Sequence, residues 1–384
     1  MRKIAVVTVA RSDYGILLPV LRAIAAAEDL ELQLIVAGMH LEPAYGLTVR
    51  MIESDGWSVA ARVEMNQTSD DAPSIARSMG LGTIGFSEAY ARLQPDLLVL
   101  LGDRFEMHAA ASAAVPFNLP IAHLHGGELS EGAIDDMFRH SITKMSHLHF
   151  VSTESYGRRV MQMGEAPWRV TVSGAPGLDN FRATTLLDRD ELNARFGVSL
   201  LDRFLLVTFH PVTLEPGLAE KQFRELLAAL DDSGCAVLFT MANADTGGMV
   251  INRLIREHAV TRPMWQLVEN LGTQGYASAM ALASAMVGNS SSGIIEAASF
   301  RLPVVNIGAR QRGRFHGPNV IDTNTDRTSI LEGIQTALSG EFRTSLSQLE
   351  NPYGDGYATP RIVERLRTQP LGPELLVKKF HNLS

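Results

Sequence analysis

Between His125 and Lys144 the chain reads His-Gly-Gly-Glu-Leu-Ser-Glu-Gly-Ala-Ile-Asp-Asp-Met-Phe-Arg-His-Ser-Ile-Thr-Lys, which gathers Glu128, Asp135, Asp136, Arg139 and two histidines in one short stretch. Carboxylates set close together can take and return protons, and an arginine beside them balances developing negative charge. Gly126 and Gly127 read as a sharp turn that lets backbone approach a ligand, and Gly132 marks a second turn. Asp103, in Gly102-Asp-Arg-Phe-Glu106, adds a further carboxylate. The plainer reading is that these acids cap helices, whose first turn favours negative charge. The residues alone leave both readings open.

The second half of the chain offers different chemistry. Gly288-Asn-Ser-Ser-Ser-Gly293 runs into Ile-Ile-Glu296, so backbone N–H groups and hydroxyls can wrap a phosphate at a helix start. Glu296 is expected in the first turn of that helix, where a carboxylate can accept the hydroxyls of a ribose. No Gly-Lys-Ser/Thr follows, and this loop does not match Gly-x-Gly-x-x-Gly, which excludes a Walker loop and disfavours a dinucleotide site there. A serine-rich cap is the plainer alternative. His210, before Pro211, is a further candidate for a ligand's phosphate. His123, His125, His140, His147 and His149 cluster in sequence but match no zinc spacing, so no metal and no cofactor is expected. There is no Gly-x-Ser-x-Gly elbow, and Cys235 lies in an apolar run, so covalent catalysis has no support.

These residues sit where apolar runs end. Residues 4–9, 30–37, 96–101 and 119–124 read as buried parallel strands, and 149–151 and 170–172 as short ones flanking a helix over 153–163. The first ends in Ala10-Arg-Ser-Asp-Tyr-Gly15, where Ser12 or Asp13 caps a helix and Arg11 stands at the strand's carboxyl end. The second ends in Gly38-Met-His40. A helix begins near Asp135, with Ile134, Phe138, Ile142 and Met145 at helical spacing. Residues 46–91 read mainly as helix and turn, with 66–71 a candidate mobile loop. Gly174-Ala-Pro-Gly177 marks a hinge. Beyond it, 204–209, 236–241 and 304–307 are strands, and 278–287 an apolar stretch before the serine loop. Alternating β/α in both halves predicts an α/β protein of two such domains facing each other across a cleft.

With 384 residues, 46% hydrophobic and 20% charged, the chain has the make-up of a soluble two-domain protein. A net charge of −8 argues against nucleic-acid partners. A single cysteine forms no disulfide within the chain and suits a cytoplasmic setting. Residues 1–7 read as a core strand rather than a signal peptide, and no apolar run reaches the roughly 18 residues of a membrane span.

Taken together, the motifs resemble the UDP-N-acetylglucosamine 2-epimerase family over nearly the whole chain, and within it the hydrolysing branch of sialic-acid-type sugar synthesis. The matching pieces also include Asn243-Ala-Asp-Thr-Gly247 and Asn351-Pro-Tyr-Gly-Asp-Gly356. The resemblance implies a GT-B-like fold, two Rossmann-like domains around a central cleft. Residues 1–175 would form the N-terminal domain with the catalytic carboxylates, and 176–358 the C-terminal UDP-binding domain. Residues 359–384 would form a helix and tail returning to the first domain. It implies elimination of UDP across C1 and C2 of UDP-N-acetylglucosamine to a 2-acetamidoglucal, then hydration to N-acetylmannosamine. Asp103, Glu128, Asp135, His210 and Arg139 take the catalytic positions. Arg11, Asp13, Arg104, His210, Asn243, Ser290, Ser291, Ser292 and Glu296 take those that bind the UDP-sugar. Non-hydrolysing bacterial relatives carry a glutamine before the histidine of the second strand-end loop. Met39 stands there instead, which favours the hydrolysing branch and no activator site. A UDP- or GDP-linked 2,4-diacetamido-2,4,6-trideoxyhexose is the alternative substrate. A GT-B glycosyltransferase, a nucleotide-sugar sensor and a phosphate-binding structural protein are the other classes, and a homodimer or homotetramer is implied.

Overall fold

The computed structural model describes residues 1–382 except 66–70, 132–133, 213–216 and 242–247. Two parallel sheets organise it. The first holds β1 (Arg2–Thr8), β2 (Leu30–Ala37), β3 (Val59–Val63), β4 (Leu97–Leu101), β5 (Ile121–Leu124), β6 (Leu148–Val151) and β7 (Val170–Val172), in the order β3-β2-β1-β4-β5-β6-β7. The second holds β8 (Phe204–Thr208), β9 (Ala236–Thr240), β10 (Trp265–Val268), β11 (Ala285–Gly288), β12 (Val304–Ile307) and β13 (Val320–Thr323), in the order β10-β9-β8-β11-β12-β13. The α/β class expected from the sequence is the class found.

The continuous apolar runs have a simple cause. Helices cover both faces of the sheet, so neither side of a central strand meets water. Ile4 and Val6 of β1 pack into one core with Leu17, Leu21 and Ile24 of the helix Arg11–Ala26 and Ile362 and Leu366 of the helix Ala358–Thr368. Ala5 and Val7 point the other way, into Phe86, Tyr90, Met107 and Ile142. In the second sheet, Leu205, Val207, Val237 and Phe239 pack against Phe223, Leu226, Leu254 and Ile334.

β3, β10 and β13 escaped the sequence reading. All three are edge strands, where side chains such as Arg62, Gln266 and Asp322 interrupt the apolar run. Between residues 46 and 91 the chain therefore holds a strand as well as the helices Val49–Ser54 and Ala72–Leu93.

Contacts divide the chain into residues 1–180 with 356–384, and 181–355. Gly174-Ala-Pro-Gly177 lies in the first unit, just before its boundary at Asn180. The helix Gly177–Arg182 is tied there, since Asp179 accepts from the N–H groups of Ala358 (3.0 Å) and Thr359 (2.7 Å), and Asn180 donates to the Gly15 carbonyl at 2.9 Å. Among the described residues, no helix is long and apolar enough to cross a membrane.

Candidate functional site

In each sheet the strand order reverses once, between β1 and β4 and between β8 and β11. Ligands of open α/β sheets bind beyond the carboxyl ends of strands at such a reversal. In the first unit these ends carry Arg11, after β1, and Asp103, after β4. Arg11 is exposed at the start of its helix. Asp13 is not: its carboxylate accepts from the N–H groups of Val9 (2.8 Å), Ala10 (2.7 Å) and Tyr14 (3.0 Å). Burial pushes its pKa up to about 6, against the pull of those bonds. Asp13 thus shapes the turn that presents Arg11. His40 is likewise a core residue, held between Thr8 Oγ1 (3.0 Å) and Thr48 Oγ1 (2.7 Å) and pushed down to about 4 by burial.

After β4, Asp103 accepts a hydrogen bond from Arg139, a buried guanidinium that also reaches Ser130 Oγ at 3.2 Å and lies 3.8 Å from Asp136. The helix Ile134–Met145 positions Arg139, whose side chain lies on the buried face with Ile142 and Thr143. Ile134 is exposed and Phe138 half-buried, so the helical spacing identified the helix while the buried face carries an arginine. Of the paired acids, Asp136 caps the preceding loop, accepting from Ser130 N–H at 2.8 Å, and it pairs with His140 at 3.4 Å. Asp135 stays half-exposed, and its charge and that of Asp13 both act on Arg104. Arg104 grips fully buried Glu106 through Nε (3.1 Å) and Nη2 (3.0 Å) and touches Met39 Sδ at 3.2 Å. Glu106 was missed as a site-shaping residue. Its only local signal is an acid two residues after an arginine at a strand end.

After β5, Gly126 and Gly127 do approach something closely, but it is protein. A Cβ on Gly126 would meet His123 Nδ1 at 3.0 Å and Thr143 Oγ1 at 3.1 Å. One on Gly127, whose φ is +78°, would meet the Tyr156 carbonyl oxygen at 2.6 Å, in the helix Glu154–Gln162. The turn brings Glu128 back beneath His125. Glu128 is buried, and its Oε1 accepts from His125 Nδ1 (2.6 Å) and Ser152 Oγ (2.8 Å). The other clustered histidines part company. His123 lies between the Gly102 carbonyl (2.7 Å) and Thr143 (3.1 Å), His147 accepts from Ile121 N–H (3.2 Å), and His149 faces Glu165 (3.1 Å). Burial pushes His123 down to about 3. Among the described residues, no group of His, Cys, Asp or Glu is arranged to hold a metal.

In the second unit, His210 follows β8 and the serine loop follows β11. Asn289 ties them together, accepting from His210 N–H at 2.7 Å and donating to its carbonyl at 2.8 Å. Gly288 is obligatory, because at φ +141° a Cβ would lie 1.9 Å from the Thr208 carbonyl oxygen. His210 is pushed down to about 4 by burial, with Arg310 adding to the effect. Ser290 caps the helix Ser291–Ile295, and Ser292 Oγ lies 2.8 Å from Ser290 Oγ and 2.7 Å from the Tyr276 hydroxyl. This helix has one turn only. Glu296 therefore falls at its carboxyl end, where it passes into a short 3-10 turn, and not in its first turn. Asn243, the loop 66–70 and Gly132 lie outside the described residues.

The family model for UDP-N-acetylglucosamine 2-epimerase matches residues 22–367. The chain is 39% identical over 378 residues, 98% of its length and 99% of the relative's, to the UDP-N,N'-diacetylbacillosamine 2-epimerase (hydrolyzing) of Legionella pneumophila. It is 39% identical over 344 residues, 89% of each chain, to the GDP/UDP-N,N'-diacetylbacillosamine 2-epimerase (hydrolyzing) of Campylobacter jejuni. The crystal structure of UDP-GlcNAc 2-epimerase from Neisseria meningitidis bound to UDP-GlcNAc shares the fold, at TM-score 0.78 and 16% identity over 95% of this chain and 99% of that one.

Proposed function

The chain belongs to the UDP-N-acetylglucosamine 2-epimerase family, and we propose that within it the protein is a hydrolysing 2-epimerase of a UDP- or GDP-linked 2,4-diacetamido-2,4,6-trideoxyhexose. The observation that carries this reading is the near full-length match, at 39% identity, to a relative named for that sugar. The sequence reading put UDP-N-acetylglucosamine first and the diacetamido sugar second. The relatives support the reverse order.

The proposed chemistry is elimination followed by hydration. The C2 proton leaves as the C1–oxygen bond breaks, giving a 2-acetamidoglycal and a nucleoside diphosphate. Water then adds at C1 and a proton at C2 from the opposite face, releasing the free manno-configured sugar. The first unit supplies the acid/base groups Asp103 and Asp135, with buried Arg139 holding Asp103 in place, and buried Glu128 beside them, paired with His125. The second unit supplies the nucleotide loop. Ser290, Ser291 and Ser292 meet phosphate, and Glu296 meets the ribose. Neutral His210 offers a hydrogen bond to the diphosphate as charge develops there. Arg11, Arg104 and Asn243 complete the set. A homodimer or homotetramer and a cytoplasmic setting belong to the same proposal, drawn from the family.

The test is to incubate pure protein, without acceptor, with each nucleotide sugar and to follow products by NMR. Free 2,4-diacetamido-2,4,6-trideoxymannose, formed with a higher kcat/KM than N-acetylmannosamine, is the expected result. In D₂O the product should carry deuterium at C2, and labelled water should place its oxygen at C1. Accumulation of an epimerised sugar still linked to the nucleotide would refute the hydrolysing assignment.

A further inference from the structure

Glu128 is buried, and its Oε1 is engaged by His125 Nδ1 at 2.6 Å and Ser152 Oγ at 2.8 Å. The residue above it is conspicuous on two counts. His125 has φ +62°, a left-handed conformation rare for a side chain with a Cβ, and its own N–H is pinned to the Phe150 carbonyl at 3.0 Å. Its Nε2 is buried with no hydrogen-bond partner among the described residues. An orphaned buried ring nitrogen costs free energy and calls for a reason, of which catalysis is one. The position supplies one, since His125 stands at the carboxyl end of β5, next to β4 and its Asp103.

We infer that His125 and Glu128 work as a pair in which His125 Nε2 takes the sugar's C2 proton while Glu128 is the positioning residue behind the ring. The inference rests on the function proposed above and deepens it. An ionised Glu128 accepts from Nδ1–H, which leaves the lone pair on Nε2 and fixes the ring plane. A C2 proton is barely acidic, and imidazole is a stronger base than a carboxylate. In the step, the proton passes from C2 to Nε2, the C–H pair becomes the C1–C2 π bond, and the C1–oxygen pair leaves with the nucleoside diphosphate. The imidazolium charge then lies against the Glu128 carboxylate. The proton delivered to the opposite face of C2 comes from a second acid of the same unit, Asp103 or Asp135.

The test uses His125→Gly, since glycine accepts φ +62° without strain and removes the ring. UDP affinity, measured by calorimetry, should stay within a few-fold and shows that the variant folds. Turnover should fall a hundredfold or more with KM little changed, in line with loss of a proton-transfer group. Exogenous imidazole should restore at least tenfold of it, and deuterium incorporation at C2 should recover in parallel. Adding Glu128→Gln should abolish that rescue, because free imidazole then has nothing to orient it. Turnover near wild type in His125→Gly, or no rescue by imidazole, overturns the pair while wild-type hydrolysis leaves the proposed function standing. Absence of hydrolysis in the wild type overturns both.

Discussion

The two strand-order reversals make an instructive pair. Both are built alike, from loops after neighbouring parallel strands, yet they are furnished differently. The loops after β1, β4 and β5 carry Arg11, Asp103, His125 and Glu128, held by ion pairs, one of them to Arg139 of the helix Ile134–Met145, and by a buried carboxylate. The loops after β8 and β11 carry hydroxyls, a neutral histidine and backbone, held by the Asn289 clamp. The backbone architecture is common to both, so under the proposed function it is the side chains mounted on it that would divide proton chemistry from nucleotide recognition.

The comparison is broken most severely in the first unit. Asp103→Asn, and separately Asp135→Asn, should cut kcat by a hundredfold or more, because positioned acid/base groups contribute about 10²–10⁴-fold. UDP affinity by calorimetry should hold, since the serine loop proposed to bind the nucleotide belongs to the other unit. Normal turnover in either variant would return that acid to helix capping.

The converse experiment addresses the second unit. Glu296→Ala should weaken UDP binding tenfold or more, as charge-assisted hydrogen bonds are worth about 1.5–3 kcal/mol each. Turnover at saturating substrate should change far less. Calorimetric titration with UDP decides it, and unchanged affinity removes Glu296 from the ribose site.

A smaller effect sharpens the contrast through pH. Burial lowers His40 and His210 from 6.5 to about 4, so the unfolded chain binds protons first as pH falls. Their contribution is present above pH 6.5 and is lost between there and pH 4, at roughly 1 kcal/mol per pH unit for each histidine. Asp13 runs the other way. Its folded value, about 6 against 3.8, makes the folded state bind protons first, so its burial penalty is relieved as pH falls through that window. His210→Asn should therefore flatten the dependence of unfolding free energy on pH below 6.5, measured by denaturant titration at several pH values. An unchanged slope would contradict a buried neutral His210.

The smallest expected effect is Ser290→Ala, which removes the cap on Ser292 N–H. It should cost about 1 kcal/mol of stability, read as a lowered denaturation midpoint, with a modest loss of UDP affinity.

Much of the scaffold was legible because buried parallel strands announce themselves as unbroken apolar runs. β2 and β12 were read to the residue from such runs. The edge strands β3, β10 and β13 were not, since a half-exposed strand tolerates polar side chains. Gly126 and Gly127 were read as a turn that lets backbone approach a ligand; packed against them are the helix Glu154–Gln162 and the His123 ring, which no local pattern announces. Glu296 was misplaced because a helix of one turn followed by a 3-10 turn has the same hydrophobic spacing as a longer helix.

By itself the sequence determined that acids stand at strand ends in the first half of the chain and a Gly/Ser loop at one in the second. That information is local: an apolar run, its end, and the residues just past it. Tertiary structure decided strand order, which sets Ala5 of β1 beside Leu98 of β4 and so brings the loops of Arg11 and Asp103 together. It also decided which ionisable groups stay buried and matched, as with Glu128 between His125 and Ser152. Strand order and burial both depend on contacts between residues far apart in the chain, and such contacts exist only once the sheet has closed around its helices.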